Sequence, residues 1–360
     1  MSTIYDVAKA AGVSPKTVSR VLNGDAPVGK KTRAAVEKAM AELSYVPSNA
    51  ARMMRSNKSG VIGLITGAIS FAADEAVPNG LPDLFIVQGI QKVIAAQNKT
   101  LMIADTGGSS DAVPNLMRTF LQHRVEGLIY VADYHREVSL PVDGVDCPVV
   151  LVNCFDATST PSVVPDDREG QRALVTKIIQ SGHRRIGFLT LDRAMTAEGL
   201  RYKGYRDALE SQGIPYSDEL VAMAYGLGGE ETSEALDASL GRLLDLPEPP
   251  TVICCGNDAI AMRVYGLLRA RGVKVPEQMS VAGFDDYRVI SEMIHPPLTT
   301  VVLPYHEMGR RAAERLLSLV DGADDAQENP VRVAGPVSWR SSVTPLNDVS
   351  IFNPNGRKRP

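Results

Sequence analysis

Between Val61 and Phe284 the chain alternates short, continuous apolar runs with stretches of helical periodicity, and it does so twice over. The runs are Val61–Ile65, Thr100–Ala104, Gly127–Val131 and Val149–Val152, then Ile186–Leu189, Leu220–Met223, Val252–Cys255 and Ser280–Phe284. Helical stretches between them cover Phe85–Gln97, Val113–His123, Glu169–Ser181, Gly199–Gln212 and Asp258–Arg271. A strand that is apolar on both faces needs cover on both faces, and intervening helices supply it when the strands run parallel. The pattern predicts an α/β body of two successive, similar, doubly wound parallel sheets. Ligands of such folds sit beyond the carboxyl ends of the strands, so a cleft between two lobes is the expected site.

The first 60 residues differ in charge. Ten basic and four acidic residues give them +6, whereas the other 300 residues carry 28 basic and 38 acidic groups, a balance of −10 within a chain of net −4. A basic head on an acidic body points to nucleic acid as the head's partner. No apolar run reaches the ~20 residues of a membrane span. The N-terminus lacks the basic-then-apolar layout of a secretory signal. A cytoplasmic protein with no membrane partner is therefore expected. Cys147, Cys154, Cys254 and Cys255 have no CxxC spacing and lie in or beside apolar runs, as reduced core cysteines do. The P-loop, HExxH and GxSxG signatures are missing, and Gly226-Leu227-Gly228-Gly229 lacks the GxGxxG spacing. The expectation is no enzyme, no cofactor and no metal.

Inside the head, Thr3 is placed to cap a helix whose first turn holds Asp6, where a carboxylate suits the dipole. Val7, Ala8 and Ala11 supply an apolar face, and Gly12 ends the helix. Ser14-Pro15 then begins a second helix through Thr17, Val18, Val21 and Leu22 to Asn23-Gly24. Two short helices about a turn form a helix-turn-helix. The second helix is expected to expose Lys16, Thr17, Ser19, Arg20 and Asn23 to phosphates or base edges, with Arg20 suited to guanine. A third helix, roughly Lys30 to Leu43, carries Val36, Ala39, Met40 and Leu43 at core spacing. Lys30 and Lys31 oppose its dipole at the start, which reads as a phosphate-facing pair.

Ile4-Tyr5-Asp6-Val7-Ala8-Lys9-Ala10-Ala11-Gly12-Val13-Ser14, followed by Thr17-Val18-Ser19-Arg20-Val21-Leu22-Asn23, closely resembles the headpiece of LacI/GalR-family transcriptional regulators. The likeness extends to about Thr344 through Gly182–Leu189, Arg201–Tyr205, Asn257–Ala261, Val281–Asp286 and Pro297–Val301. It implies a headpiece at 1–46 that enters the major groove, with Tyr5 and Ser14 among the matched DNA-facing positions. Pro15 and Lys16 follow the turn serine, where the family discriminates sequence. Pro15 has no hydrogen-bonding side chain, so specificity would lean on Lys16 and Arg20. Residues 47–59, with three basic groups and no acid, resemble the family's hinge. A helix over Ala50–Arg55 is too short to stand alone in water. In the family it folds in the minor groove, and Met54 stands where an apolar side chain wedges the base step apart. Two features depart from the family pattern: the Gly29-Lys30-Lys31 start of the third helix, and a loop over 72–82 that is several residues longer than usual.

The resemblance further implies a periplasmic-binding-protein-like body at 60–344. Its chain would cross between lobes near 163, 291 and 326. The first lobe would then hold 60–163 and 292–325, and the second 164–291 and 326–344. Arg201 is expected just before a helix, offering planar paired donors to hydroxyls or a carboxylate. Asp285 and Asn257 end strands and can accept from, or exchange hydrogen bonds with, a sugar. Asp258 reads as a helix cap. Ser70, Phe71, Asn153, Phe155 and Tyr225 lie near strand ends as further candidates, the aromatics by stacking. His183 matches a structural histidine, and Trp339 is expected in the closing strand. The tail, 345–360, shows no leucine heptads, so a homodimer is favoured. The expected function is a regulator, most simply a repressor, that grips near-palindromic double-stranded operator DNA and is released by a sugar or sugar-derived effector. The alternatives are a ligand that acts as corepressor and a sugar-binding protein of transport.

Overall fold

The computed structural model describes residues 2–23, 28–46, 58–67, 82–142, 144–224 and 232–346. The chain divides into two compact units, Met1–Gly60 and Val61–Pro360.

In the first unit, α1 (Ile4–Ala11), α2 (Pro15–Asn23) and α3 (Lys30–Glu42) form a three-helix head. The Thr3 hydroxyl accepts from the Asp6 amide while the Asp6 carboxylate accepts from the Thr3 amide at 2.7 Å. This reciprocal cap satisfies two donors that a bare helix start leaves orphaned. Gly12, at φ 65°, closes α1, and the Ser14 hydroxyl accepts from the Thr17 amide at 3.1 Å to open α2. By contrast, α3 starts at Gly29 without a side-chain cap or an acid in its first turn. Val7, Ala8, Val18, Val21, Val36 and Ala39 make the core, and Met40 and Leu43 pack at its rim.

The body holds two six-stranded sheets. The first contains β1 (Val61–Thr66), β2 (Thr100–Asp105), β3 (Gly127–Glu137), β4 (Val149–Phe155), β5 (Ser162–Pro165) and β11 (Val331–Val333), in the order β11-β5-β4-β3-β1-β2. The second contains β6 (Ile186–Thr190), β7 (Val221–Met223), β8 (Val252–Cys255), β9 (Ser280–Asp285), β10 (Thr299–Val302) and β12 (Val337–Ser338), in the order β12-β10-β9-β8-β6-β7. Among the described residues only β12 pairs antiparallel. The repeated order is that of a doubly wound sheet, with the switch point between the first and third strands of each lobe. Helices α4 (Pro82–Ala96), α5 (Val113–Gln122) and α11 (Tyr305–Val320) accompany the first sheet. The second is covered by α6 (Asp167–Gln180), α7 (Thr196–Ser211), α8 (Thr232–Leu244) and α9 (Asp258–Ala270). A short α10 (Arg288–Ser291) follows β9. Two apolar clusters flank each sheet, which is why the strands are apolar on both faces.

Every predicted strand is present. The sequence reading omits α8, the short helix over Arg288–Ser291, α11 and the three- and four-residue strands β5, β10 and β11, while the closing strand expected at Trp339 is β12, Val337–Ser338, which ends one residue before it. Those short strands relocate the lobe crossings. Because β10 extends the second sheet beside β9 and β11 extends the first beside β5, the chain crosses between Pro165 and Asp167, between Val302 and Tyr305, and between Val333 and Val337. The last two crossings lie later than the expected 291 and 326. Strand β3 also runs six residues past the expected Val131, re-pairing Arg136 with Cys154 and Glu137 with Phe155 after a register shift.

Cys154, Cys254 and Cys255 are buried, Cys147 is half-buried, and all four are free thiols. His183 is structural: its ring nitrogens meet the Thr251 hydroxyl at 2.8 Å and the Thr344 carbonyl at 3.0 Å.

Candidate functional site

On the head, α2 turns Val18 and Val21 inward and leaves Ser14, Lys16 and Arg20 exposed, with Pro15 and Thr17 half-buried beside them. Tyr5 of α1 is 71% exposed. Lys30 and Lys31 are exposed at the start of α3. Ser19 corrects the expectation of a solvent-facing donor: it is only 7% exposed. At about 100° per residue it falls roughly 60° from Leu22, on the flank of the apolar stripe rather than opposite it. The Ser14 hydroxyl, besides capping α2, lies 2.9 Å from the Thr17 hydroxyl. The side chain of Asn23, and all of Met54, lie outside the described residues.

In the body, a chain of charged side chains runs across the first lobe crossing. Helices α6 and α7 cross closely enough that a Cβ on Gly204 would stand 2.1 Å from the Arg168 carbonyl oxygen, so only glycine fits. This close crossing brings Arg201, in the second turn of α7, against Asp167 at the start of α6. The Arg201 Nε donates to Asp167 Oδ1 at 2.7 Å, and its Nη1 donates to the Gly256 carbonyl and lies 3.6 Å from Asp285 Oδ1. The guanidinium carbon also lies over the Phe284 ring, 3.7 Å from its centre. On the other side, Asp167 Oδ2 is 2.8 Å from Nδ1 of His135, which belongs to the extension of β3 in the first lobe. Asp167, Arg201 and His135 are all buried.

Burial alone would discharge Asp167, but Arg201 and His135 outweigh it and hold the carboxyl below its usual range. Asp285 goes the other way. Burial, with the Asp167 carboxylate nearby, pushes it up to about 7 despite Arg201. Its side chain keeps 30% of its surface open, and its backbone sits at φ 124°, a conformation most residues avoid.

Arg201 and Asp285 are thus brought together, although Arg201 lies within α7 rather than before it, because the helix starts at Thr196. The helix cap expected at Asp258 falls to Asn257. Asn257 caps α9, its Oδ1 accepting from the Ile260 amide at 2.8 Å. Asp258 is instead buried, accepting from the Tyr287 amide at 2.8 Å and the Thr300 hydroxyl at 2.6 Å. Asn153 is buried at φ 60° and donates to the Ala132 carbonyl at 3.1 Å. Phe155 meets the His135 ring edge-on, 5.8 Å between centres. Both line a cavity of about 760 Å³ that also takes in Asp167, Thr196 and Leu200. Ser70, Phe71 and Tyr225 lie outside the described residues. The sequence reading missed His135 and Asp167. Asp167 stands in an acid pair just ahead of the expected helix, where a cap is the ordinary interpretation. Among the described residues no His/Cys/Asp/Glu group is arranged to hold a metal, and no helix is long and apolar enough to cross a membrane.

Residues 3–48 match the family described as bacterial regulatory proteins, lacI family, and residues 175–343 match a periplasmic binding protein-like domain. The HTH-type transcriptional repressor PurR of Vibrio atlanticus is 31% identical over 353 residues, spanning 96% of this chain and 100% of that protein. The HTH-type transcriptional regulator GalR of Escherichia coli is 31% identical across 89% of this chain and 90% of its own length. Among solved structures, the lac repressor dimer bound to operator and the anti-inducer ONPF aligns with a TM-score of 0.74 at 26% identity, covering 95% of this chain and 99% of that one. The transcriptional regulator CelR in its cellobiose complex aligns with a TM-score of 0.62 at 27% identity, covering 95% and 100%.

Proposed function

Because the chain belongs to the LacI family of bacterial regulatory proteins, we propose that it represses transcription from a near-palindromic operator and releases that DNA when a sugar-like molecule enters the cleft between its lobes. The observation that carries the ligand half of this reading is the His135–Asp167–Arg201–Asp285 chain. It starts in the first lobe, passes through the segment where the chain first crosses, and ends at a strand terminus of the second. A ligand that takes hydrogen bonds from Arg201 and gives them to Asp285 perturbs Asp167, whose bond to His135 is the link of this chain that spans the lobes. Its binding energy is then spent partly on their relative angle. Such a switch needs different affinities for the two arrangements, not tight binding alone.

The DNA half is supported by the exposed Lys16, Arg20, Lys30 and Lys31 on a head of net +6. Lys16 and Arg20 are the base-reading candidates, and the lysines of α3 face phosphate. Met54 serves as the minor-groove wedge. A homodimer supplies the second half-site. It would also cover large apolar side chains left exposed on both lobes: Leu84, Phe85 and Ile103 on the first, Met262, Val289 and Met293 on the second.

In vitro selection from a random duplex library with the full chain tests the DNA half. Near-palindromic sequences should be enriched. Their affinity should fall about 10³–10⁵-fold between roughly 50 and 200 mM salt if about 6–10 phosphates are neutralised. Recovery of no preferred sequence, or binding indifferent to salt, contradicts the reading.

A further inference from the structure

Strands β3 and β4 run in parallel register as far as Val131 beside Val152, then resume with Arg136 beside Cys154. Residues 132–135 of β3 therefore stand opposite a single residue of β4, Asn153. Bulges re-aim side chains that a regular ladder would fix, and this one carries His135 of the first lobe to Asp167 of the second, Nδ1 to Oδ2 at 2.8 Å. The Asp167 carboxylate, held below its usual range, can only accept, so the imidazole nitrogen is the donor. Both ends of the bulge are held. At its start, Asn153 Nδ2 donates to the Ala132 carbonyl at 3.1 Å. Past its end, the Val138 amide donates to the Phe155 carbonyl at 2.8 Å, and the Phe155 ring stands edge-on to the imidazole. Asn153 is only 1% exposed, so its amide is turned into the bulge. Its backbone lies at φ 60°, a left-handed conformation in which asparagine is several-fold enriched among non-glycine residues. One residue thus supplies both the backbone turn opposite the bulge and the side chain that pins it.

We propose that Asn153, which the sequence offers as an effector contact, is instead a positioning residue: it pins the β3 bulge that holds His135 against Asp167, and that bond latches the lobes in the arrangement that grips DNA. This rests on the regulator reading above and adds which first-lobe residues bias the lobe angle. The sign follows from that reading. A ligand that releases DNA by perturbing Asp167 acts against a bond belonging to the DNA-gripping arrangement, so deleting the bond mimics the ligand. Three substitutions separate the parts. His135→Phe keeps a ring beside Phe155 and removes the donor. His135→Asn keeps a donor, its amide nitrogen standing close to the place of Nδ1. Asn153→Gly keeps the left-handed backbone and removes the pin.

Proton NMR of the full chain tests the positioning role without DNA or ligand. Wild type should show a low-field imidazole N–H resonance, protected from solvent exchange, that His135→Phe removes and so assigns. Asn153→Gly should lose that resonance while still melting cooperatively, and Asn153→Ala is measured beside it so that the result does not hang on one variant. No resonance assignable to His135 in wild type overturns the latch. Its persistence in the Asn153 variants, or failure of both to melt cooperatively, overturns the positioning role. Fluorescence anisotropy with a duplex from the in vitro selection, and a scrambled duplex beside it, tests the consequence. His135→Phe and Asn153→Gly should each weaken operator binding at least about tenfold, a gap of about 1.4 kcal/mol, and leave the scrambled duplex unaffected. Because both act through one bond, the double variant should be no weaker than the weaker single variant, and His135→Asn should recover most of the affinity. Wild-type operator affinity in both single variants, or losses that simply add, overturns the latch. A wild-type chain that prefers no sequence contradicts the regulator reading instead, and the imidazole resonance still decides whether Asn153 positions His135.

Discussion

Asp167 and Arg201 illustrate how one buried pair can be structural and functional at once. Both are almost wholly removed from water, so the Asp167 carboxylate depends on Arg201 to remain charged, and each leaves the other's charge buried and uncompensated if removed. Arg201→Ala leaves Asp167 with His135 alone, and the expected cost is about 3–5 kcal/mol of stability in chemical denaturation; a loss below about 1 kcal/mol would show the pair to be better solvated than it stands here. Loss of ligand response in that variant is therefore to be read beside its stability, and Arg201→Lys, which keeps the charge without the planar fork, separates the two effects. Asp285 makes a pH-dependent contribution of definite sign. Its carboxyl is raised to about 7 in the folded chain, against about 3.9 when unfolded. Its share of stability is therefore fully present below about pH 4 and is lost as pH rises through about 7. Asp285→Asn, which mimics the protonated form, should raise the melting midpoint more at pH 8 than at pH 5 relative to wild type; a difference independent of pH contradicts the shift. Arg201 and Asp285 were legible in the sequence because each lies in a matched segment beside a strand end or helix. His135 and Asp167 were not, because their partnership is made by a lobe crossing that joins residues 32 positions apart, which no local pattern encodes.

Among the elements, those that were legible are the ones long enough to show a period. The three helices of the head emerge from caps, a glycine stop and a proline start, and the eight longer apolar runs emerge as strands. Strands β10, β11 and β12 have four, three and two residues, too few to declare an alternation, yet they decide which lobe each late segment joins. Helix α11 did carry a signal: Met308, Ala312, Ala313, Leu316 and Leu317 are buried at helical spacing. The α6–α7 crossing is the element-scale feature on which the site depends. Gly204→Ala places a methyl against the Arg168 carbonyl, and forcing the helices apart is expected to cost about 1–3 kcal/mol. Weakened ligand stabilisation should accompany that loss, since Arg201 moves with α7. A Gly204→Ala protein with unchanged melting midpoint and unchanged ligand response would show that the crossing can relax without the site.

For the whole molecule, the division of charge makes chemical sense of the division of labour. A head of +6 can approach phosphates that a body of −10 is repelled from, so the body's acidity leaves the head as the DNA-facing part. The two halves matter to each other only if ligand in the cleft changes the grip on DNA. Fluorescence anisotropy of a selected operator duplex, titrated with the full chain in the presence and absence of a ligand that stabilises it, measures that coupling directly. A shift in Kd of at least about tenfold, worth about 1.4 kcal/mol, is the expected result, towards weaker binding for a repressor released by its effector. An operator Kd that stays the same at saturating ligand would contradict it.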